Sequence, residues 1–233
     1  MFDAQKILQQ VLGGGDDSGK RESRRSGIST DTLKGAAIGG LGRLLLGSKG
    51  GRKLGGAAMQ MGGIAILGGL AYKAWQNWQA QQQGGQLSSP TVGTRDLAGH
   101  AEGTAFLPRQ EAERSELSLT LLPAMIAAAK SDGHLDAAKQ DRIFAKIDDS
   151  NLSADEKAYL MDQIRKPMDI DAIAETATTP ERAAEIYAAP LLVIDRDPPK
   201  ETKYLTSLAN RLRLDNILGA SIETEIKAAM ILA

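Results

Sequence analysis

The sequence predicts an all-α protein: a glycine-rich hydrophobic helical segment, then a flexible linker, then a C-terminal bundle of about seven helices with pseudo-symmetric halves. Three observations carry this. From Phe106 onward apolar residues recur at helical spacing, no stretch alternates as a strand would, and cap signals open one helix after another.

The parts differ in composition. Residues 1–53 carry 10 Lys/Arg and 5 Asp/Glu, whereas residues 104–233 carry 16 and 22, so the formal net charge of −1 conceals a basic and an acidic half. Of 25 glycines, 18 lie in residues 1–75. The chain therefore divides into a basic flexible region, 1–34, a glycine-rich hydrophobic segment, 35–78, a linker, 79–104, and a helical domain, 105–233.

Within residues 2–12, Phe2, Ile7, Leu8, Val11 and Leu12 suit a short amphipathic helix. Gly13 to Thr30 is too rich in Gly, Ser and charge to bury a core alone. Leu54 to Tyr72 is an uncharged run of 19 residues, 12 apolar and 6 glycine. As a helix it spans about 28 Å, near the ~30 Å hydrocarbon thickness. Tyr72, Trp75 and Trp78 stand at its C-terminal edge, as an interfacial belt would. The expectation is a single membrane span at 54–72, with the basic flank placing the N-terminus in the cytoplasm. Paired glycines (Gly55-Gly56, Gly62-Gly63, Gly68-Gly69) form a small-residue face suited to close helix packing and self-association. A glycine-rich hairpin buried in a soluble or peripheral protein is the alternative.

The stretch QAQQQGGQLSSPTVGTRDLAGHAEGT (79–104) reads as a flexible tether, with His100 a solvated loop residue. Leu117, Leu121, Leu122, Met125, Ile126 and Ala129 then mark a first bundle helix, and Asp136 an N-cap for Ala137 to Ile147. Ser153-Ala-Asp-Glu156 is a capping box. A short helix follows near 170–177. Thr179-Pro180-Glu181 opens another with a cap, a first-turn proline and an acid at the positive dipole end. Pro190 predicts a kink. Asp197-Pro-Pro-Lys-Glu201 starts a helix bearing Tyr204, Leu205, Leu208 and Leu212, and a last one covers about 217–231.

Composition narrows the chemistry. Without cysteine there is no disulfide or thiolate site, and two histidines, His100 and His134, leave little for acid–base triads. No nucleophile elbow, Walker loop or dinucleotide fingerprint occurs. The reading is non-enzymatic, with no catalytic residue, no small-molecule substrate and no nucleic-acid partner. A metal-dependent hydrolase is the remote alternative. What remains is carboxylates in two turns: Asp132 and Asp136, then Asp195, Asp197 and Glu201. Facing each other, they would suit a hard divalent cation, Ca²⁺, Mg²⁺ or Mn²⁺. As separate features they are turn residues and N-caps.

AMIAAAKSDGHLD followed by DRDPPKETKYLTSLANRLRLD resembles the tellurite-resistance TerB-like domain. With STDTLKGAAIGGLGRLLLGSKGGRKLGGAAMQMGGIAILGGLAYKAWQNW before it, the order looks like that of YebE-type inner-membrane proteins of unknown function. The resemblance implies a pseudo-symmetric helical fold, a bacterial inner-membrane location and a place in membrane-associated stress complexes. It also implies metal binding at Asp132, Asp136, Asp197 and Glu201. The second turn departs from the Asp-Gly type. The resulting expectation is a membrane-anchored helical domain that binds a protein partner and senses a divalent cation. A self-associating scaffold without metal is the alternative.

Overall fold

The computed structural model describes residues 2–13, 63–82, 84, 94–131, 137–148, 150, 152–194 and 199–232. Helices α1 (Ala4–Gly13), α2 (Gly63–Gln82), α3 (Thr94–Ala101), α4 (Glu111–Lys130) and α5 (Ala137–Asp148) are followed by α6 (Ala154–Arg165), α7 (Ile170–Glu175), α8 (Pro180–Leu191), α9 (Pro199–Arg211) and α10 (Asn216–Leu232). No strand occurs among the described residues, only an isolated bridge between Glu102 and Leu107. The all-α expectation holds.

Local signals set several helix ends. Ser153 Oγ accepts from Glu156 N–H while the Glu156 carboxylate accepts from Ser153 N–H, the reciprocal capping box that the sequence spells. Thr179 Oγ1 accepts from Arg182 N–H, and Pro180 takes the first helical position, where its missing N–H costs nothing. Asp169 caps α7 by accepting from Ala172 N–H at 3.0 Å. Pro190 stands in the last turn of α8, where little helix follows it.

The centre is built from α2, α4, α8 and α10. Helix α2 packs on α10, α3, α8 and α1, and α4 packs on α8, α1, α7, α6 and α9. One continuous apolar core joins Ile7 and Leu8 of α1, Leu67 and Leu70 of α2, Leu121 and Met125 of α4, Ile186 of α8, Leu208 of α9 and Ile222 of α10. Tyr204 ties α9 to α4 by donating its hydroxyl to Ala124 O at 2.8 Å, and burial pushes its phenol up.

The expected membrane span is overturned. No helix among the described residues is long and apolar enough to cross a membrane. Residues 54–62 lie outside those described, but the run continues from Gly63 into α2, whose second half is polar: KAWQNWQAQQ. Its apolar half is already covered by protein, with Ile64, Ala65, Ile66, Leu67, Leu70 and Ala71 all buried. The tryptophans serve packing and hydrogen bonding within the fold. Trp75 is buried with its ring 5.9 Å from that of Phe106, and Trp78 Nε1–H donates to Asp215 Oδ1 at 3.1 Å. Lys73 forms an ion pair with Glu225 of α10 at 2.9 Å, and Asn77 donates to the same carboxylate. The single-pass inner-membrane placement and the orientation drawn from flanking charge fall with the span.

Gly68 explains part of the glycine pattern. A Cβ there would lie inside contact distance of the Phe106 carbonyl oxygen and 3.1 Å from its carbon. The glycine lets the 102–110 turn cross the helix backbone directly. That turn follows α3, which forms within the stretch read as a tether and buries Ala98 and Ala101. Gly103, at φ +80°, donates its N–H to Leu107 O and closes the turn.

Candidate functional site

The acidic turns fall where α4 passes to α5 and α8 passes to α9. Asp132, Asp136 and Asp197, with Asp195 and His134, lie outside the described residues. Glu201 stands in the first turn of α9, and its side chain is likewise outside them. Among the described residues no group of three or more His, Asp or Glu side chains is placed to hold a metal ion. His100 is in the last turn of α3 rather than in a loop.

The described residues form a half-open groove of about 260 Å³ between α4, the end of α6, and α7. Pro123, Ile126, Ala127 and Lys130 form the α4 wall, and Ala172, Ile173 and Thr176 the α7 wall. The segment Lys166-Pro167-Met168-Asp169 also lines it and exists because α6 must stop there. A residue before proline avoids helical angles, and Lys166 is extended at φ −58°, ψ 142°.

Stopping α6 leaves carbonyls without helical partners. Lys130 meets two of them: Nζ donates to Ile164 O at 2.8 Å and to Lys166 O. An ammonium has three donors, so one remains beyond these two carbonyls. Burial lowers the Lys130 pKa, and an incoming anion would relieve that cost. Met168, 46% exposed, stands at the lip as an adaptable apolar contact. The groove thus offers apolar walls, a soft thioether and a constrained cation.

Two buried carboxylates have roles that the sequence did not show. Glu185 of α8 is fully buried. Its Oε2 accepts from Arg182 Nη1 at 3.0 Å, while Oε1 has no hydrogen-bond partner. Burial raises its pKa well above the usual range against the pull of Arg182, and Glu181 adds to the rise. The sequence holds one clue: Glu185 is the single charge from Ala183 to Leu192. Glu156 was visible as a cap but not as a joint. Its Oε1 also accepts from Asp3 N–H at 2.9 Å, linking the entry to α1 with that to α6. Burial pushes this carboxyl up, yet the amides of Ser153 and Asp3, the Ser153 hydroxyl and Lys6 together bring it below the ordinary value.

Residues 31–226 match the family described as protein of unknown function (DUF533). That match covers most of the chain, and the chain belongs to this family. It is also similar to a Yersinia enterocolitica protein described as an uncharacterized protein in the ampR 5' region. The two are 29% identical over 107 residues, 46% of this chain and 77% of the relative. No solved structure matches the chain.

Proposed function

We propose that this DUF533 protein is a non-enzymatic helical binding module. Its groove between α4 and α7 takes an acidic, apolar-anchored peptide segment of a partner protein. The observation that carries the reading is Lys130: an ammonium held by two carbonyls between apolar walls, beside the exposed Met168, in a groove that also takes in Lys166 and Asp169. An apolar side chain of the partner fits against Pro123, Ile126 and Ile173, and a neighbouring carboxylate takes the remaining donor of Lys130. Fixed apolar contact with one polar anchor is how small pockets gain orientation as well as affinity. The resemblance to TerB-like domains agrees with a binding rather than a catalytic role.

Random peptides displayed on phage and selected on the whole chain provide the probe. The selected peptides are expected to combine an acid with an aromatic or aliphatic anchor. They should lose at least tenfold in affinity on Met168→Asp and on Lys130→Gln. Peptides that bind both variants as tightly as the natural chain would place the binding surface elsewhere.

A further inference from the structure

Lys130 can do more than hold an anion. Its Nζ is bonded to Cε and donates toward Ile164 O and Lys166 O, which accounts for three of the four directions at the nitrogen. Two carbonyls match a neutral amine, which has two N–H donors where an ammonium has three. The fourth direction then holds the lone pair, and it is left to the groove that Lys130 lines. Carbonyl acceptors polarise the N–H bonds and leave that lone pair more electron-rich. One nitrogen thus serves in two states: protonated it offers a third donor to an acid, deprotonated it offers an electron pair to an electrophile.

The surroundings favour the amine. Pro123, Ile126 and Ala127 of α4 and Ile173 of α7 form apolar walls, and burial of the ammonium lowers the Lys130 pKa. Asp169, the acid that lines the groove, is engaged as the α7 cap through Ala172 N–H. Desolvation between apolar walls is one way a lysine becomes a nucleophile.

The rest of the lining sets the electrophile. Lys166 lines the groove too, and its exposed ammonium pairs with Asp162 at 3.6 Å across one helical turn. Such a surface pair contributes little and can be exchanged for an incoming phosphate. The apolar walls and a volume of about 260 Å³ suit a short aliphatic acyl chain.

We propose that Lys130 is a modification site: a nucleophilic lysine acylated within the groove by a small acyl phosphate. The amine, having given one proton to solvent, attacks the acyl carbon. The bond from that carbon to the bridging oxygen breaks, phosphate leaves with the electron pair, and the nitrogen sheds a second proton to become an amide. The amide is uncharged and keeps one N–H, so one of the two α6 carbonyls loses its donor. Acylation thus removes the charge that peptide binding uses. That consequence rests on the peptide-binding reading, whereas the reactivity does not.

The whole chain is treated with acetyl phosphate near neutral pH, and acetylation at each lysine is followed over time by peptide mass spectrometry. Lys130 is expected to react about fivefold or more faster than Lys203 and Lys227, exposed lysines of α9 and α10. Unfolding in urea should abolish that lead. Lys166→Gln should slow Lys130 with acetyl phosphate but not with the uncharged N-hydroxysuccinimide ester of acetic acid. Lys130 reacting no faster than the two exposed lysines, or a lead that survives unfolding, would overturn the nucleophile. Slowing with both reagents, or with neither, would overturn the anionic donor. No peptide enters these readings, so they stand or fall apart from the peptide affinities.

Discussion

Gly68 and Gly99 are both helical glycines, and the structure separates them. At Gly68 a methyl group would enter the Phe106 carbonyl, a backbone atom that cannot turn aside. Gly68→Ala should destabilise by about 1–3 kcal/mol, the usual cost of overpacking, seen as a lower urea midpoint. Gly99 has nothing within 4 Å of the added atom. Gly99→Ala should instead stabilise by about 0.5–1 kcal/mol through helix propensity. Glu185 adds a pH dependence. Its folded pKa is raised, so the folded chain binds the extra proton. The stability it contributes is full below the unfolded value of about 4.3 and is lost as pH rises from there through the folded pKa. Glu185→Gln should flatten the alkaline side of that profile in urea titrations at a series of pH values.

Helix ends carry the next set of expectations. Removing the α6 cap with Ser153→Ala should cost about 1 kcal/mol, measured by denaturant unfolding. Glu156 has the opposite sign to Glu185. Its folded pKa is lowered, so its contribution is present above the unfolded value and disappears as pH falls through the folded one. Glu156→Gln should remove that acid-side loss, leaving a flatter profile below the unfolded value. The helix starts at Ser153 and Thr179 were legible because a cap needs only residues three apart. The third role of Glu156 was not, because Asp3 is 153 positions away. The α4–α7 groove was hidden for the same reason: Lys130 acts on carbonyls 34 and 36 residues later.

At the scale of the molecule, periodicity identified an all-α fold, since each helix repeats its apolar residues within a few positions. Hydropathy could not identify the solvent of the run Leu54–Tyr72. Apolar side chains look alike whether lipid or protein covers them, and glycine suits close helix approach in either. The polar half of α2 was the available clue. Lys73 and Asn77 both meet Glu225, and Trp78 meets Asp215, contacts that belong to a folded interior edge. The acidic turns were legible as a pattern only, and their geometry lies outside the described residues.

Both tryptophans of the chain lie in α2, so their fluorescence reports on that helix alone. Helix α2 is an integral part of the bundle core. Urea unfolding of the whole chain, followed at once by tryptophan emission and by far-ultraviolet circular dichroism, tests this most directly. The predicted result is a blue-shifted native emission that moves red in the same transition, with the same midpoint, as the loss of helix. Emission that stays blue-shifted after the remaining helices have unfolded would contradict it, and would show that α2 is covered by something other than this bundle.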